Sequence, residues 1–238
     1  MQYWLVMPAA GSGRRFAAGR PKQYAPLEGR TVIEWALAPF LADRRCAGVM
    51  LALACADADF ARLAIPTDSQ PAVNVTAGGA ERSWSVRAAL AALAPRAAAT
   101  DWVLVHDAAR PCLAAEDLER LLAGVGEHAL GGLLAAPLAD TLKRAQAREA
   151  AALPLAAVET VDRDGLWRAL TPQMFRYARL CEALDAAHRA GRSPTDESQA
   201  LEWLGETPLL IEGLASNIKV TTAADLALAG AVLRARQT

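Results

Sequence analysis

The feature that most constrains the fold of this 238-residue chain is its alternation of short apolar runs with longer amphipathic stretches. Each run is bounded by Gly, Pro, Asp or Asn and is too short for a helix, so we interpret the runs as strands. Strands that alternate with helices predict an α/β fold, in which a mostly parallel sheet is covered by helices on both faces. The predicted strands are Tyr3–Met7, Gly48–Ala54, Ala72–Thr76, Trp102–His106, Gly131–Ala136 and Pro208–Glu212, and the predicted helices are Val32–Leu41, Glu81–Leu93, Glu116–His128, Met174–Ala190, Asp196–Leu204 and Ala223–Arg236.

The alternation stops after Ala136. Residues 137–165 combine polar segments with an Ala-rich charged stretch, and they predict a hairpin-like excursion, or arm, that buries little. Such a long excursion inside a compact domain is usually functional or an interaction element. The length predicts a single domain over residues 1–238, with the arm at about 137–165.

The charge balance argues against binding to nucleic acids and to anionic membranes. The chain has 25 basic and 26 acidic residues, so it lacks the overall positive charge that such binders use. No apolar stretch reaches the ~18 residues of a membrane span, and the basic residues near the N-terminus follow the first apolar run, unlike those of a secretory signal. We therefore expect a cytoplasmic protein with no membrane partner.

Cysteine and histidine positions do not suggest a metal site. The three histidines lie far apart in the sequence, and we expect them to be structural or surface groups. The cysteines show no CxxC pair, which favours reduced core thiols over a disulfide or zinc site. They are Cys46, Cys55, Cys112 and Cys181.

The lysines are few and therefore informative. Of 25 basic residues 22 are Arg, and the lysines are Lys22, Lys143 and Lys219. A lysine presents a compact ammonium charge that the planar guanidinium of arginine does not reproduce. Either these positions need that charge or the lysines are there by chance.

The first motif is Pro8-Ala-Ala-Gly-Ser-Gly-Arg-Arg15, directly after the first strand and shortly before Pro21-Lys22-Gln23. Small residues allow backbone N–H groups to approach an anion closely. The motif matches neither GxGxxG nor the Walker GK[ST] pattern. It predicts a phosphate cradle of another type, with a glycine-rich surface turn as the alternative.

Two further motifs follow predicted strands. Gly78, Gly79 and Ser85 form a glycine turn that enters a helix, where they could read the edge of a base or Ser85 could simply cap the helix. Asp107 comes at the carboxyl end of a strand, where a carboxylate is well placed to hold a divalent cation that bridges phosphates. Arg110 could clamp a second anion, or it could pair internally with Asp107.

In this order the motifs resemble those of the 2-C-methyl-D-erythritol 4-phosphate cytidylyltransferases of the non-mevalonate isoprenoid pathway. The resemblance covers essentially the whole chain and implies a Rossmann-like fold of the nucleotidyltransferase type, with an arm through which two subunits form a homodimer. It implies transfer of the cytidylyl group of CTP to 2-C-methyl-D-erythritol 4-phosphate, with 4-diphosphocytidyl-2-C-methyl-D-erythritol and pyrophosphate as products and with Mg²⁺ or another divalent cation as cofactor. Further matching segments are Asp140-Thr141-x-Lys143, Thr160-Val-Asp-Arg163, Leu170-Thr171-Pro-Gln173, Thr195-Asp196-Glu197 and Asn217-Ile-Lys219-Val220.

The resemblance also implies roles for individual residues. The implied catalytic residues are Arg15, Lys22, Arg163 and Lys219. The implied nucleotide-binding residues are Ala9, Ala10, Gly11 and Gly13 around the phosphates and Gly78, Gly79 and Ser85 at the cytosine. The implied residues at the methylerythritol phosphate are Asp107, Arg110, Thr141, Arg163, Thr171 and Lys219, with Asp107 also beside the metal.

The sequence departs from the family at two positions. Ser12 stands where relatives often have a larger apolar residue, and Ala80 stands where an Asp is frequent. Backbone groups can serve at both positions, so we expect altered affinity and retained activity. Two alternatives to the methylerythritol phosphate enzyme stay open here: a ribitol-5-phosphate cytidylyltransferase, and a catalytically silent protein of the same fold.

Overall fold

A computed structural model describes residues 1–11, 21–55, 57–63, 65, 71–146 and 155–236 of the protein. Its strands are β1 (Tyr3–Pro8), β2 (Pro26–Leu27), β3 (Arg30–Thr31), β4 (Cys46–Leu53), β5 (Val73–Ala77), β6 (Trp102–Val105), β7 (Gly131–Pro137), β8 (Leu142–Ala145), β9 (Ala157–Val161), β10 (Trp167–Arg176) and β11 (Leu209–Glu212). Its α-helices are α1 (Val32–Leu41), α2 (Arg82–Leu93), α3 (Ala115–Val125), α4 (Tyr177–Arg189), α5 (Glu197–Glu202) and α6 (Ala223–Ala235).

The central sheet has seven strands in the order β11-β7-β10-β6-β1-β4-β5. β1 lies near its centre and pairs in parallel with both β4 and β6, and β5 adds in parallel to β4. β10 runs antiparallel to both of its neighbours, β6 and β7. The carboxyl ends of β1, β4, β5 and β6 consequently meet at one edge, where α/β sheets bind their ligands.

Helices cover both faces of this sheet, as predicted. Successive strand side chains point to opposite faces, so Leu5 packs in one hydrophobic cluster and Val6 in the other. The cluster with Leu5 includes the buried sides of α1 and α3, and the cluster with Val6 includes those of α2, α4 and α5. The continuous apolar run of β1 therefore reflects a strand that is buried from both sides.

The prediction of a helix from Met174 was wrong at its start. Met174 and Phe175 belong to β10, pack in opposite core clusters and pair with Leu104 and Val103 of β6, while the helix begins at Tyr177. Pro172 lacks an N–H group for a sheet ladder, and the register of β10 against β7 shifts between Ala169 and Gln173. These two features interrupt the regular strand pattern, so the sequence alone does not predict β10.

The excursion at 137–165 contains a separate two-stranded antiparallel sheet of β8 and β9. Almost all of its described residues are exposed. Large apolar side chains are among them: Leu155 is 45% exposed and Val158 is 57% exposed. The assignment of this arm to contacts between subunits stays a prediction.

The prediction that all four cysteines are core thiols was wrong for Cys55. All four are free, and Cys46 and Cys112 are buried, but Cys55 is exposed in the turn after β4. None of the helices in the described ranges has the combination of length and apolar character that crossing a membrane requires.

Gly131 at the start of β7 gives the fold a testable weak point. Its φ is +129°, and a Cβ there would lie 2.1 Å from the carbonyl oxygen of Met174 in β10. We expect Gly131→Ala to lower the free energy of unfolding by about 4 kcal/mol, because it adds backbone strain to a steric clash with main chain. Urea unfolding followed by circular dichroism measures this difference.

Gly191→Ala is the matched control, because Gly191 also has a positive φ, +66°, but a Cβ there meets nothing within 4 Å. This variant should lose only about 1 kcal/mol, the cost of the strained backbone. Equal losses in the two variants would show that the clash with β10 is relieved at no cost.

Candidate functional site

A cleft with a volume of about 190 Å³ opens at the carboxyl edge of the sheet, where β1, β5 and β6 end. The described parts of the three predicted motifs meet here although they are far apart in the sequence. The predicted site residues that line the cleft are Ala9, Ala10, Gly11, Lys22, Gly79, Ser85, Asp107 and Lys219. Gly78, Arg110 and Thr171 are not among the lining residues but lie next to them.

The loop after β1 is fastened to the segment that carries Lys22. The amide of Gln23 donates to the carbonyl oxygens of Ala9 at 2.9 Å and Gly11 at 3.3 Å. Gln23 is 5% exposed, so this clamp is largely buried, and both Gln23 and its neighbour Lys22 line the cleft. Gly13 and Arg15, also predicted for this loop, lie outside the described residues, as does Ser12.

The glycine turn lies against the same loop. A Cβ at Gly78 would lie 2.4 Å from Cβ of Ala10, so the close approach of the two loops requires glycine there. Ser85 accepts a hydrogen bond from the N–H of Gly79 at 3.1 Å, and its hydroxyl lies 3.1 Å from the carbonyl oxygen of Glu81. Ser85 therefore holds the turn in shape from inside α2, and the N-cap position belongs to Glu81.

Asp107 follows β6 and is the centre of the charged groups. Its Oδ1 accepts from Nε of Arg82 at 2.8 Å, and its Oδ2 lies 2.8 Å from Nζ of Lys219 and 3.6 Å from Nε of Arg110. Burial alone would raise the pKa of Asp107, but these three cations outweigh it and hold the pKa well below its usual range. The internal Asp–Arg pair considered from the sequence exists, and it is one part of a larger cluster.

Three hydrogen bonds in series fix the backbone around Asp107. The Asp107 N–H donates to Oγ1 of Thr171 at 3.1 Å, and Oγ1 of Thr171 lies 2.9 Å from Nδ1 of His106. Nε2 of His106 lies 3.1 Å from the carbonyl oxygen of Arg110, an atom that can only accept. Burial lowers the pKa of His106 to about 4, which keeps the ring neutral at neutral pH. In the neutral ring Nε2 therefore carries the proton, and Nδ1 accepts the hydrogen bond from the Thr171 hydroxyl. This satisfies the expectation of a structural histidine.

The segment with Lys219 is joined to the turn that follows Asp107. The N–H of Val220 donates to Ala109 at 2.8 Å, and the Arg110 guanidinium donates to the carbonyl oxygen of Asn217 at 2.7 Å. The Asn217 side chain donates to the carbonyl oxygen of Thr171 at 2.8 Å. These bonds bring Lys219 to Asp107 across more than a hundred residues of sequence.

Thr141 and Arg163 stand apart from the cleft of their own chain. Both are exposed in the arm, where Thr141 precedes β8 and Arg163 follows β9. Since Leu142 pairs with Val161, the two residues flank the same end of the arm sheet. The structure thus brings them near each other and not into the cluster around Asp107.

The sequence prediction missed Arg82, Glu197 and Gln23 as site residues. Arg82 lines the cleft and pairs with Asp107 and with the buried Glu197. Arg82 lies between the glycine turn and Ser85, and Glu197 ends the segment Thr195-Asp196-Glu197, so both lie within motifs that the sequence already indicated.

The other two histidines are structural as well. Nδ1 of His128 accepts from the N–H of Gly131, and His188 stacks on Trp84 with ring centroids 3.7 Å apart.

Comparison with known proteins shows which family has this arrangement of motifs. The family model described as IspD: 2-C-methyl-D-erythritol 4-phosphate cytidylyltransferase matches residues 3–235. The chain belongs to this cytidylyltransferase family. It is 50% identical over 240 residues to the family member from Halorhodospira halophila (strain DSM 244 / SL1), a match that covers 99% of this chain and 96% of the relative. It is 50% identical over 227 residues to the member from Ectopseudomonas mendocina (strain ymp), which covers 95% and 93% of the two chains.

Solved structures of the cytidylyltransferase family share the fold. The Francisella tularensis 2-C-methyl-D-erythritol 4-phosphate cytidylyltransferase superposes with a TM-score of 0.81 at 31% identity, with 98% of this chain and 100% of that chain covered. The protein of the same name from Thermus thermophilus gives 0.76 at 34% identity, with the same coverage. The mostly parallel sheet of the nucleotidyltransferase type is thereby confirmed.

Proposed function

We propose that this protein transfers the cytidylyl group of CTP to 2-C-methyl-D-erythritol 4-phosphate, giving 4-diphosphocytidyl-2-C-methyl-D-erythritol and pyrophosphate. The observation that carries the proposal is the cleft in which the β1 loop, the glycine turn and the cations around Asp107 meet, in a chain that matches this family over residues 3–235. A cytoplasmic location, and the absence of nucleic-acid partners, stay predictions from the sequence.

The reaction needs placement and charge stabilisation more than proton transfer. The second pKa of a phosphate monoester is about 6, so the acceptor is largely a dianion at neutral pH and needs no general base. One of its oxygens attacks the α-phosphorus of CTP. The bond from that phosphorus to the oxygen bridging to the β-phosphate breaks, and pyrophosphate leaves with the electron pair. The protein must offset repulsion between two polyanions and stabilise the charged transition state.

The residues of the cleft suit these tasks. Backbone N–H groups around Ala9, Ala10, Gly11 and Gly13 would cradle the CTP phosphates, and Arg15 and Lys22 would stabilise charge at the α-phosphate. Gly78, Gly79 and Ser85 would hold the cytosine. Lys219 and Arg110 would bind the acceptor phosphate, and Thr171 contributes through Asp107, whose N–H its hydroxyl oxygen accepts.

A divalent cation such as Mg²⁺ would complete the site. Among the described residues there is no group of three or more His, Cys, Asp or Glu that could hold a metal ion by itself. The cleft does offer the carboxylate of Asp107, and Mg²⁺ is often held by one or two carboxylates together with substrate phosphates. The residues thus fit a cation held by Asp107 and CTP phosphates, which would neutralise phosphate charge.

The arm supports a homodimer with shared sites. Its exposed apolar residues, such as Leu155 and Val158, suit a subunit interface. Arg163 and Thr141 stand outside the cleft of their own chain, and both would reach the acceptor in the partner's cleft. On this proposal each centre takes Arg163 from one subunit and Lys22 from the other.

Subunit mixing tests the shared site. Arg163→Ala and Lys22→Ala should each be nearly inactive as homodimers, whereas the mixed heterodimer should regain about half of the wild-type activity, because one of its two sites carries both native residues. The measurement is pyrophosphate release after denaturation and refolding of the mixture. Activity that never exceeds the sum of the separate variants would contradict sharing of Arg163.

The acceptor is tested by Mg²⁺-dependent pyrophosphate release from CTP, with 2-C-methyl-D-erythritol 4-phosphate and ribitol 5-phosphate in parallel and with ATP, GTP and UTP as controls. We expect release with CTP and the methylerythritol phosphate. A preference for the ribitol ester would keep the mechanism and change the substrate. Binding of CTP without release from either acceptor would indicate a silent nucleotide-binding protein.

A further inference from the structure

Arg82 bridges two buried carboxylates that are far apart in the sequence. Its Nε donates to Oδ1 of Asp107 at 2.8 Å, and its terminal nitrogens donate to the two oxygens of Glu197 at 2.7 and 3.0 Å. Asp107 is 6% exposed and Glu197 is 1% exposed. A single guanidinium thus joins the first residue of α5 to the turn after β6.

Glu197 has no direct access to the cleft. Arg82 and Asp107 are among the described residues that line the cleft, and Glu197 is not. Burial raises the pKa of the Glu197 carboxyl, although the charge of Arg82 opposes that shift. Burial of a charged carboxylate is costly unless a cation pairs with it. Glu197 therefore acts on the cleft through its partner Arg82.

The geometry of the bridge determines how Asp107 is held. A guanidinium is planar, and its two-point contact with a carboxylate fixes the orientation of that plane. Nε lies in the same plane, so Glu197 also fixes the direction in which Nε–H points at Oδ1 of Asp107. Oδ2 then faces Nζ of Lys219 at 2.8 Å. The Lys219 side chain is 39% exposed, compared with 23% for Arg82, so Lys219 is the more accessible of these two cations.

We propose that Arg82 and Glu197 are positioning residues for the reaction. Glu197 holds the guanidinium of Arg82, and Arg82 holds Oδ1 of Asp107, so that Oδ2 stays directed at Lys219 and the bound substrates. The inference rests on the proposed function, since it gives a task to groups around the proposed reaction centre. Because Arg82 also begins α2, which carries Ser85 and follows the glycine turn, the same bridge ties the nucleotide side of the cleft to Asp107.

The test is Glu197→Gln, which keeps the shape of the side chain but removes one acceptor and the charge. We expect kcat to fall roughly 10- to 100-fold, because a misplaced group at a reaction centre costs that much. The KM for CTP should change less than about 3-fold, since Glu197 touches neither substrate in this arrangement. A crystal structure should show the Arg82 guanidinium rotated and its Nε more than about 3.5 Å from Oδ1 of Asp107.

Asp185→Asn is the matched control. Asp185 of α4 also makes a two-point contact with an arginine of α2: it accepts from Nε and a terminal nitrogen of Arg87 at 2.6 and 3.0 Å, and neither residue lines the cleft. Its kcat should stay within about 2-fold of wild type, because the Asp185–Arg87 pair lies outside the cleft and a partly exposed ion pair contributes little to stability. An equal effect of the two variants on kcat, or an unmoved Arg82 and Asp107 in the Glu197→Gln crystal, would overturn the inference.

Failure of the proposed function would give a different experimental result from failure of this inference. A wild-type protein that releases no pyrophosphate from CTP with either polyol phosphate would refute the proposed reaction. The crystal structure of Glu197→Gln would then still decide whether Glu197 positions Arg82 and Asp107, because that readout does not depend on turnover.

Discussion

Replacement of Asp107 by asparagine is expected to lower kcat/KM for the proposed reaction about 10²- to 10³-fold, the scale of losing a group that organises charge in a closed site. Arg82 and Lys219 contact the carboxylate at 2.8 Å, and it is the group that we propose as a ligand of the divalent cation. An amide keeps the size but removes the charge that orders these cations. Steady-state rates of pyrophosphate release at varied CTP and Mg²⁺ measure the loss.

Asp117→Asn is the control that distinguishes a loss of catalysis from a loss of stability in this experiment. Asp117 of α3 is also buried and also pairs with an arginine, Arg120, at 3.0 Å, but it accepts hydrogen bonds from Leu214 away from the cleft. Its variant should lose stability and keep kcat/KM within about 3-fold, as expected for a site outside the reaction centre. If Asp107→Asn retains a similar share of activity, Asp107 is a structural charge partner only.

The pH dependence of stability gives a second check on Asp107. Its folded-state pKa lies well below its usual range, so the charged form stabilises the fold above the unfolded pKa of about 4. That contribution is lost as the pH falls from there towards the folded pKa. The difference in free energy of unfolding between wild type and Asp107→Asn should therefore be largest near neutral pH and shrink below about pH 4, which urea titrations at several pH values would show.

Local patterns were sufficient to predict most strands of the sheet and to place two motifs at its ligand edge. The apolar run of β6 ends directly before His106 and Asp107, and in a parallel sheet that position faces the ligand edge. The glycines at 78 and 79 likewise follow β5 directly. For these residues, the order of elements in the sequence is enough to give the position in the fold.

Long-range partners could not be predicted in the same way. Arg82 and Glu197 are 115 residues apart, and their pairing depends on α2 and α5 packing on the same face of the sheet. β10 was missed because Pro172 and a register shift interrupt its pattern, although neighbouring strands hold it in the sheet. Pairings of this kind are set by tertiary packing, which leaves no periodic signal in the sequence.

Lys219 is the position where the kind of cation should matter most. Its Nζ lies 2.8 Å from Oδ2 of Asp107, in a segment anchored by the hydrogen bond from Val220 to Ala109. A compact ammonium can turn from the carboxylate to a bound phosphate without moving the backbone, whereas the larger planar guanidinium of arginine would favour a two-point contact with Asp107.

We therefore expect Lys219→Ala to lower kcat/KM for the polyol phosphate about 10²- to 10³-fold and Lys219→Arg to recover little of that loss. Lys143→Arg is the matched exchange: Lys143 in β8 is exposed and donates to Thr160 at 2.6 Å, a bond that arginine can also make. Its rates should stay within about 2-fold of wild type, since an exposed contact of this kind contributes little. Near wild-type rates for Lys219→Arg would mean that positive charge alone is sufficient at this position. Reorientation of the Lys219 ammonium from Asp107 to the acceptor phosphate would then not be part of the reaction.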